Sequence, residues 1–324
     1  MKILIIKLSS LGDLFHALPA VHAIKKDMNA EIDWVVNDVY AGLTQKFEDV
    51  SEIIPFPRNN LMKNLPAFLR NLRKKNYDLV IDMQGLLKSA LIAKAAKAKK
   101  ILGPSFQREG AFLFYDEICG KKNKNRHAVE EILDIAKHLG TNTKEITFPL
   151  KYETPILNEP SPRIGVAALS RWATKNWPAE CFIDTANKLY ELKGASIYLI
   201  GGKESADFHR TIIGKLKGPV VDMAGKLELA DMPGFMKAID LLISNDSGPV
   251  HVAAAVGTPV VVIFGPTDPI RTGPYGKNNR IIKASTSCSP CFSRTCRRGN
   301  VECLKGITPE KVVEAAIELL GSKL

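Results

Sequence analysis

Short apolar runs alternate with stretches of helical periodicity through both halves of the chain. In the first half, residues 3–6, 32–36, 52–55, 78–82 and 101–103 read as strands. Between them, residues 13–26 carry Leu14, Leu18, Val21 and Ile24 near helical spacing. Residues 65–75 predict a basic amphipathic helix, residues 84–98 a loop running into a helix, and residues 128–139 a helix that Gly140 can stop. The second half restarts the rhythm, with strands over 163–168, 196–200, 220–222, 241–244 and 260–264. Its helices are predicted over 178–192, 206–216, 232–238, 250–256 and 308–320. Strands separated by helices imply parallel sheets in an α/β fold.

The alternation lapses between Pro149 and Pro162, where Pro155, Pro160 and Pro162 crowd a stretch without a long apolar run. An interdomain linker there divides the chain into domains over 1–154 and 155–324, with the last helix able to pack back on the first domain. A chain of 324 residues is long enough for two such cores. No other internal repeat is evident.

The net charge of +11 admits two readings, plain solubility or an acidic partner. No zinc-finger spacing or aromatic sheet signature points to nucleic acid, so phosphorylated substrates and anionic membrane surfaces lead. The apolar run over 259–264 is far too short to span a bilayer. Lys7 and Asp13 interrupt the N-terminal apolar stretch, which argues against a signal peptide and for a cytoplasmic protein that can sit on a membrane face.

Two segments carry most of the chemistry. Lys7-Leu-Ser-Ser-Leu-Gly-Asp13 follows the first strand. There Gly12 suits a tight turn or a close backbone approach, Ser9 or Ser10 can cap a helix, and Asp13 sits at the helix start. Asp13 either faces a ligand crevice or complements the helix dipole. Ser244-Asn-Asp-Ser-Gly-Pro-Val-His251 follows a later strand, placing Asp246, Ser247 and Gly248 where a helix start offers amides to phosphate, with His251 one turn in. A loop at the next strand end, Phe264-Gly-Pro-Thr-Asp-Pro269, strengthens that ligand reading. Ser170, Arg171, Thr174 and Lys175 lie in a loop that reads either as a diphosphate clamp or as a solvated basic loop. Trp177 reads as core. Neither a dinucleotide G-x-G-x-x-G nor a P-loop is present in the first segment.

Together these stretches, with Ile32-Asp-Trp-Val-Val36, Asp82-Met-Gln-Gly-Leu-Leu-Lys-Ser89 and Lys175-Asn-Trp-Pro178, resemble glycosyltransferase family 9, the ADP-heptose:lipopolysaccharide heptosyltransferases. The resemblance implies a GT-B architecture: two Rossmann-like domains with parallel sheets facing a central cleft, the acceptor on the N-terminal domain and the ADP-sugar on the C-terminal one. It implies inverting, metal-independent transfer of heptose from ADP-heptose to the Kdo-lipid A inner core, with no cofactor needed for the chemistry. By resemblance Asp13 is the general base and Lys175 contacts the donor phosphate. Asp246, Ser247, Gly248 and His251 form the donor loop, and Ser170 and Arg171 adjoin it. Ser10, Gly12, Lys63, Lys88, Arg108 and Arg126 are candidate acceptor contacts, the last four from charge. A lipid acceptor implies peripheral contact with the inner membrane.

Cys119 and Cys181 read as isolated buried thiols, whereas Cys288, Cys291, Cys296 and Cys303 crowd one segment. In a reducing compartment such clustering favours metal over disulfides, yet the spacing matches no standard zinc module closely. A structural zinc or iron, free thiols and disulfides all stay open. This tail resembles the second heptosyltransferase or relatives that glycosylate proteins; the Asp-Trp-Val-Val and Gln-Gly-Leu-Leu-Lys-Ser stretches resemble the first. The second step, another acceptor including protein, and a non-catalytic nucleotide-sugar binder are the alternatives.

Overall fold

A computed structural model describes residues 1–321 and divides the chain into two compact units, Met1–Lys151 and Tyr152–Leu324. Each is an α/β unit built on six parallel strands. In the first, the strands are β1 (Lys2–Ile6), β2 (Glu31–Asn37), β3 (Glu52–Phe56), β4 (Leu79–Asp82), β5 (Ile101–Pro104) and β6 (Glu117–Cys119), laid out in the order β3-β2-β1-β4-β5-β6. In the second they are β7 (Arg163–Ala167), β8 (Ser196–Leu199), β9 (Val220–Asp222), β10 (Leu241–Asn245), β11 (Val260–Phe264) and β12 (Asn279–Lys283), in the order β12-β11-β10-β7-β8-β9. Both sheets place their first strand centrally, with crossovers to either side. Both are therefore Rossmann-like, the two α/β units expected of a GT-B chain.

Burial explains the sequence pattern. β1, β4, β10 and β11 are covered on both faces, so they read as unbroken apolar runs rather than alternating ones. The strand order reverses between β1 and β4 and again between β7 and β10. At such a switch point the helices leave to opposite faces and open a crevice beyond the carboxyl ends of the strands. The loops after β1, β4, β7 and β10 thus become the places to look for chemistry.

Two edge strands, β6 and β12, depart from the pattern-based expectation, which has no strand there. Both are short and partly exposed, so neither shows a clean apolar run. The basic helix spans Leu61–Leu72 rather than 65–75, because its first two turns are wholly exposed and add no apolar period. The last helix, Pro309–Gly321, buries Val312, Val313, Ala316 and Leu319 in the core of the second unit, with Trp177, Phe182 and Leu189.

One polar cluster locks the open edge of the first sheet. Lys75 Nζ lies 3.0 Å from Glu31, 2.8 Å from the buried Asp33 and 3.0 Å from Glu52, and Tyr77 Oη donates to Asp33 at 2.9 Å. Burial opposes the charge on Lys75, but the hydrogen bonds to Asp33, Glu31 and Glu52 outweigh it and raise its pKa. A raised lysine pKa means this stabilisation is complete at neutral pH and is lost only as pH climbs through and above the ordinary lysine range. Lys75→Met strands a buried carboxylate and should cost about 3 kcal/mol, read as a lower urea midpoint. An unchanged midpoint would show the cluster to be dispensable.

Candidate functional site

Each unit gathers polar side chains at its own switch point. In the first, β1 runs into Lys7, and the Leu11–Met28 helix begins after Ser10. Asp13 Oδ2 accepts from the Ser10 amide at 2.7 Å and from Ser10 Oγ at 2.8 Å, half of a capping box. One oxygen therefore stabilises the helix start. The other, Oδ1, faces the His16 ring at 3.9 Å, and the side chain as a whole is 42% exposed. The carboxylate thus keeps an open face for a ligand. His16 itself is buried and packs edge-on against His127. Gly12 is not in a tight turn; it is a buried residue in the first turn of the helix.

Neighbouring groups hold the segment that carries Asp13. Lys7 is buried, and its ammonium donates to the Met83 carbonyl at 2.9 Å. Burial lowers its pKa, opposed by the charges of Asp13 and Asp82. Asp82, fully buried at the end of β4, accepts from Ser89 Oγ at 2.7 Å, Tyr115 Oη at 2.6 Å, and the amides of Gln84 and Gly85 at 2.8 and 3.0 Å. Its pKa is raised by burial despite those donors. Gln84 Oε1 in turn accepts from the amides of Leu8 and Ser9 at 3.0 and 3.2 Å. Gly85 is obligatory here: its φ is +71°, and a Cβ would meet Pro104 at 2.8 Å. Asp82 thus shapes the β4 loop, and the β4 loop shapes the segment that carries Asp13. The sequence shows these residues as a motif; only the β1–β4 pairing reveals that they brace Asp13.

The remaining acceptor-side candidates separate into two groups. Lys63, Lys88 and Arg108 are exposed, with the Lys88 ammonium 4.1 Å above the Phe56 ring and the Arg108 amide donating to Gly85 O at 2.8 Å. Arg126 is engaged elsewhere: its guanidinium makes two bonds to Asp134, at 2.8 and 3.0 Å, and one to the Glu130 carbonyl at 2.9 Å.

In the second unit, β7 leads to Ser170, Arg171 and a short turn over Ala173–Lys175. Lys175 Nζ lies 2.5 Å from Asp246 Oδ2 and 4.8 Å above the Trp172 ring. Thr267 Oγ1 donates to the same Asp246 oxygen at 2.6 Å. Asn176 accepts the Ser170 amide at 2.8 Å, Asn245 accepts the Trp177 amide at 3.0 Å, and Ser170 Oγ donates to Trp172 O at 3.0 Å. These bonds tie the loop after β7 to the end of β10. Ser247 precedes the Gly248–Ala255 helix in extended conformation, leaving the first-turn amides at the loop, and His251 lies buried within that helix. Arg171 is exposed. Lys175, Asp246, Ser247, Gly248 and His251 therefore lie on the loops and helix that follow β7 and β10. Trp177 is core, as expected, its indole N–H on Ile307 O at 3.0 Å.

Trp172, Thr267 and Arg294 are not singled out by the sequence. Arg294 lies 5.0 Å over the Trp172 ring, which it shares with Lys175. It comes from the cysteine segment, and no local pattern could place it there.

That segment braces the same loops. Thr174 Oγ1 donates to Ser293 O at 2.9 Å, the amides of Cys291 and Phe292 donate to Pro266 O at 3.0 and 2.7 Å, and Ser289 Oγ donates to Gly265 O at 2.5 Å. Cys288, Cys291, Cys296 and Cys303 line one cavity of about 370 Å³ as free thiols. Backbone amides of Val301 and Arg298 hold Cys296 below the usual thiol range, whereas burial raises Cys303. The zinc or iron expectation finds no support: among the described residues no group of three or more His, Cys, Asp or Glu side chains is placed to hold a metal. Cys119 is buried, its thiol pushed up to about 11 by burial, and Cys181 is only partly covered. Among the described residues no helix is long and apolar enough to cross a membrane.

Comparison with known proteins adds to this geometry. Residues 66–302 match the model of glycosyltransferase family 9 (heptosyltransferase). Lipopolysaccharide heptosyltransferase 1 of Pseudomonas aeruginosa is 30% identical over 315 residues, covering 91% of this chain and 87% of that protein. Lipooligosaccharide heptosyltransferase 2 of Campylobacter jejuni is 29% identical, covering 99% of this chain and 98% of that protein. Among solved structures, the Escherichia coli heptosyltransferase WaaC with ADP superposes with a TM-score of 0.80 at 26% identity, over 98% of this chain and 100% of that one.

Proposed function

This chain belongs to glycosyltransferase family 9 and is a heptosyltransferase of the lipopolysaccharide core, and from that premise we propose an inverting transfer of heptose from ADP-heptose to Kdo-lipid A. The observation that carries the reading is a polar cluster at the equivalent switch point of each unit. One is a half-exposed carboxylate, Asp13, with one oxygen tied to Ser10; the other is the Lys175–Asp246–Thr267 constellation beside a helix start. In the proposed reaction the acceptor oxygen attacks the anomeric carbon as Asp13 takes its proton. The new C–O bond forms while the bond to the diphosphate breaks, and ADP leaves with the electron pair. Lys175, Arg171 and the first-turn amides of the Gly248–Ala255 helix stabilise the departing diphosphate. Asp246 and Thr267 position Lys175; Ser170, Ser247 and His251 shape the donor loop. Ser10 orients Asp13, and Lys63, Lys88 and Arg108 meet the acceptor's phosphates and carboxylates. Arg126, already paired with Asp134, serves less well. The chemistry of this reading requires no cofactor, and a lipid-borne acceptor places the protein on the cytoplasmic face of the inner membrane.

The likeness to the Campylobacter enzyme named heptosyltransferase 2, over nearly the whole chain, supports the second core step as an alternative. Incubation with ADP-heptose and EDTA separates the two. Product from Kdo-lipid A, with inverted anomeric configuration by NMR, is the expected result. Product only from heptosyl-Kdo-lipid A moves the enzyme one step along the core, and retained configuration would overturn the mechanism.

A further inference from the structure

The carboxyl edge of the first sheet, beside the loop that carries Asp13, ends in an apolar rim studded with unpaired cations. The Leu61–Leu72 helix exposes its whole first two turns, and Met62 is 91% accessible between exposed Leu61 and Leu65. The Leu87–Ala95 helix exposes Leu87 and Leu91, one turn apart on one face. It packs against the Ala111–Phe114 turn, where Phe112 is exposed and Leu113 is 74% accessible. These pieces adjoin. The Lys88 ammonium sits 4.1 Å over Phe56 at the end of β3, and Phe56 packs edge-on against Phe68 of the first helix. The Arg108 amide donates to Gly85 O at 2.8 Å and the Glu109 carboxylate accepts from the Leu87 amide at 3.2 Å, closing the rim on its other side.

Charge decides what would cover such a face. Arg58, Lys63, Lys88, Lys94 and Arg108 are all exposed here, and none forms an ion pair among the described residues. Elsewhere on the same unit, Lys75, Lys99, Lys100 and Arg126 are matched to carboxylates, while exposed Lys97, Lys121, Lys122 and Lys124 form no ion pair among the described residues; what sets the rim apart is that its cations stand beside exposed apolar side chains. The acids near the rim, Asp38 and Glu109, accept from backbone amides of Arg58 and Leu87. Two copies meeting through this face about a two-fold axis would set like charges against each other. An anionic bilayer offers the complementary surface: acyl chains for the apolar tips and phosphates for the cations around them.

We propose that this rim seats the protein on an anionic lipid bilayer, with Met62 and Leu113 entering the acyl layer and Arg58 and Lys94 resting on bilayer phosphates beside Lys63, Lys88 and Arg108, which meet those of the lipid-borne acceptor. The proposal deepens the lipid-borne acceptor reading and rests on it for its biological sense, but vesicle binding tests it without turnover. The full-length protein should co-sediment with vesicles of equal parts phosphatidylglycerol and phosphatidylcholine and not with pure phosphatidylcholine. Met62→Glu combined with Leu113→Glu should weaken that binding by about tenfold or more. Met62→Trp should keep it and shift its tryptophan emission to the blue on vesicle addition. Wild-type binding by the double variant, or no binding by the wild type, overturns the proposal. A dimer that the double variant dissociates, without lipid binding, makes the face a contact between copies and overturns it too. Transfer to a water-soluble, deacylated core acceptor should be equal in wild type and double variant. Failure of that transfer in both would count against the acceptor reading while leaving the vesicle result standing.

Discussion

Asp13→Asn should abolish most turnover, on the order of 10³-fold in kcat, while donor affinity and melting temperature stay near those of the wild type. The substitution is almost isosteric. The amide oxygen of the variant can still accept from the Ser10 amide and hydroxyl, which hold Asp13 at 2.7 and 2.8 Å, so the helix start survives. What disappears is the capacity to take a proton on the second carboxylate oxygen, the one that Ser10 does not hold. Lys7 and the Gln84 bridge lie behind the segment and do not depend on the charge of residue 13 for their bonds to Met83 O and the Leu8 and Ser9 amides. A purely structural Asp13 predicts the opposite split: a lower melting temperature and little change in rate. Titration of ADP binding by calorimetry beside single-turnover rates separates the two, and a wild-type rate in the variant would remove Asp13 as the base.

The core of both sheets is legible in the sequence because buried parallel strands need no alternation: β1, β4, β10 and β11 show as plain apolar runs. The edges are not, since β6 and β12 have little apolar signal to give. Periodicity starts the Leu61–Leu72 helix too late for a related reason: only Phe68 and Leu72 are buried, and periodicity sees burial rather than hydrogen bonding. Within the site, residues lying on one motif are found together, as with Asp13 and Ser10 or Asp246 and Ser247. Partners brought together by strand pairing are not. Gln84 reaches Ser9 only because β1 and β4 are neighbours, and Thr267 reaches Asp246 only because β10 and β11 are. Arg294 arrives over Trp172 from the cysteine segment, which packs as a brace on the loops after β7 and β11.

Lys175→Met should produce the other large loss, and its interpretation turns on Asp246. The two groups lie 2.5 Å apart in a mostly buried pair, with the Thr267 hydroxyl donating to the same carboxylate oxygen. Deleting the ammonium therefore does two things. It strands a buried carboxylate, which should lower stability by about 3 kcal/mol. It also removes a cation from the proposed diphosphate position, which should lower turnover by about a hundredfold to a thousandfold. Adding Asp246→Asn to Lys175→Met separates the effects, because an amide costs far less to bury unpaired than a charge does. The double variant should regain most of the stability, by urea midpoint, and little of the rate. Recovery of both would mean that Lys175 serves only to neutralise Asp246 and that the leaving diphosphate is met by Arg171 and the helix amides. Lys175→Arg sharpens the reading further: a guanidinium keeps the charge and can still stack on Trp172, so it should keep the fold and a fraction of the rate, with the cost falling on kcat rather than on stability.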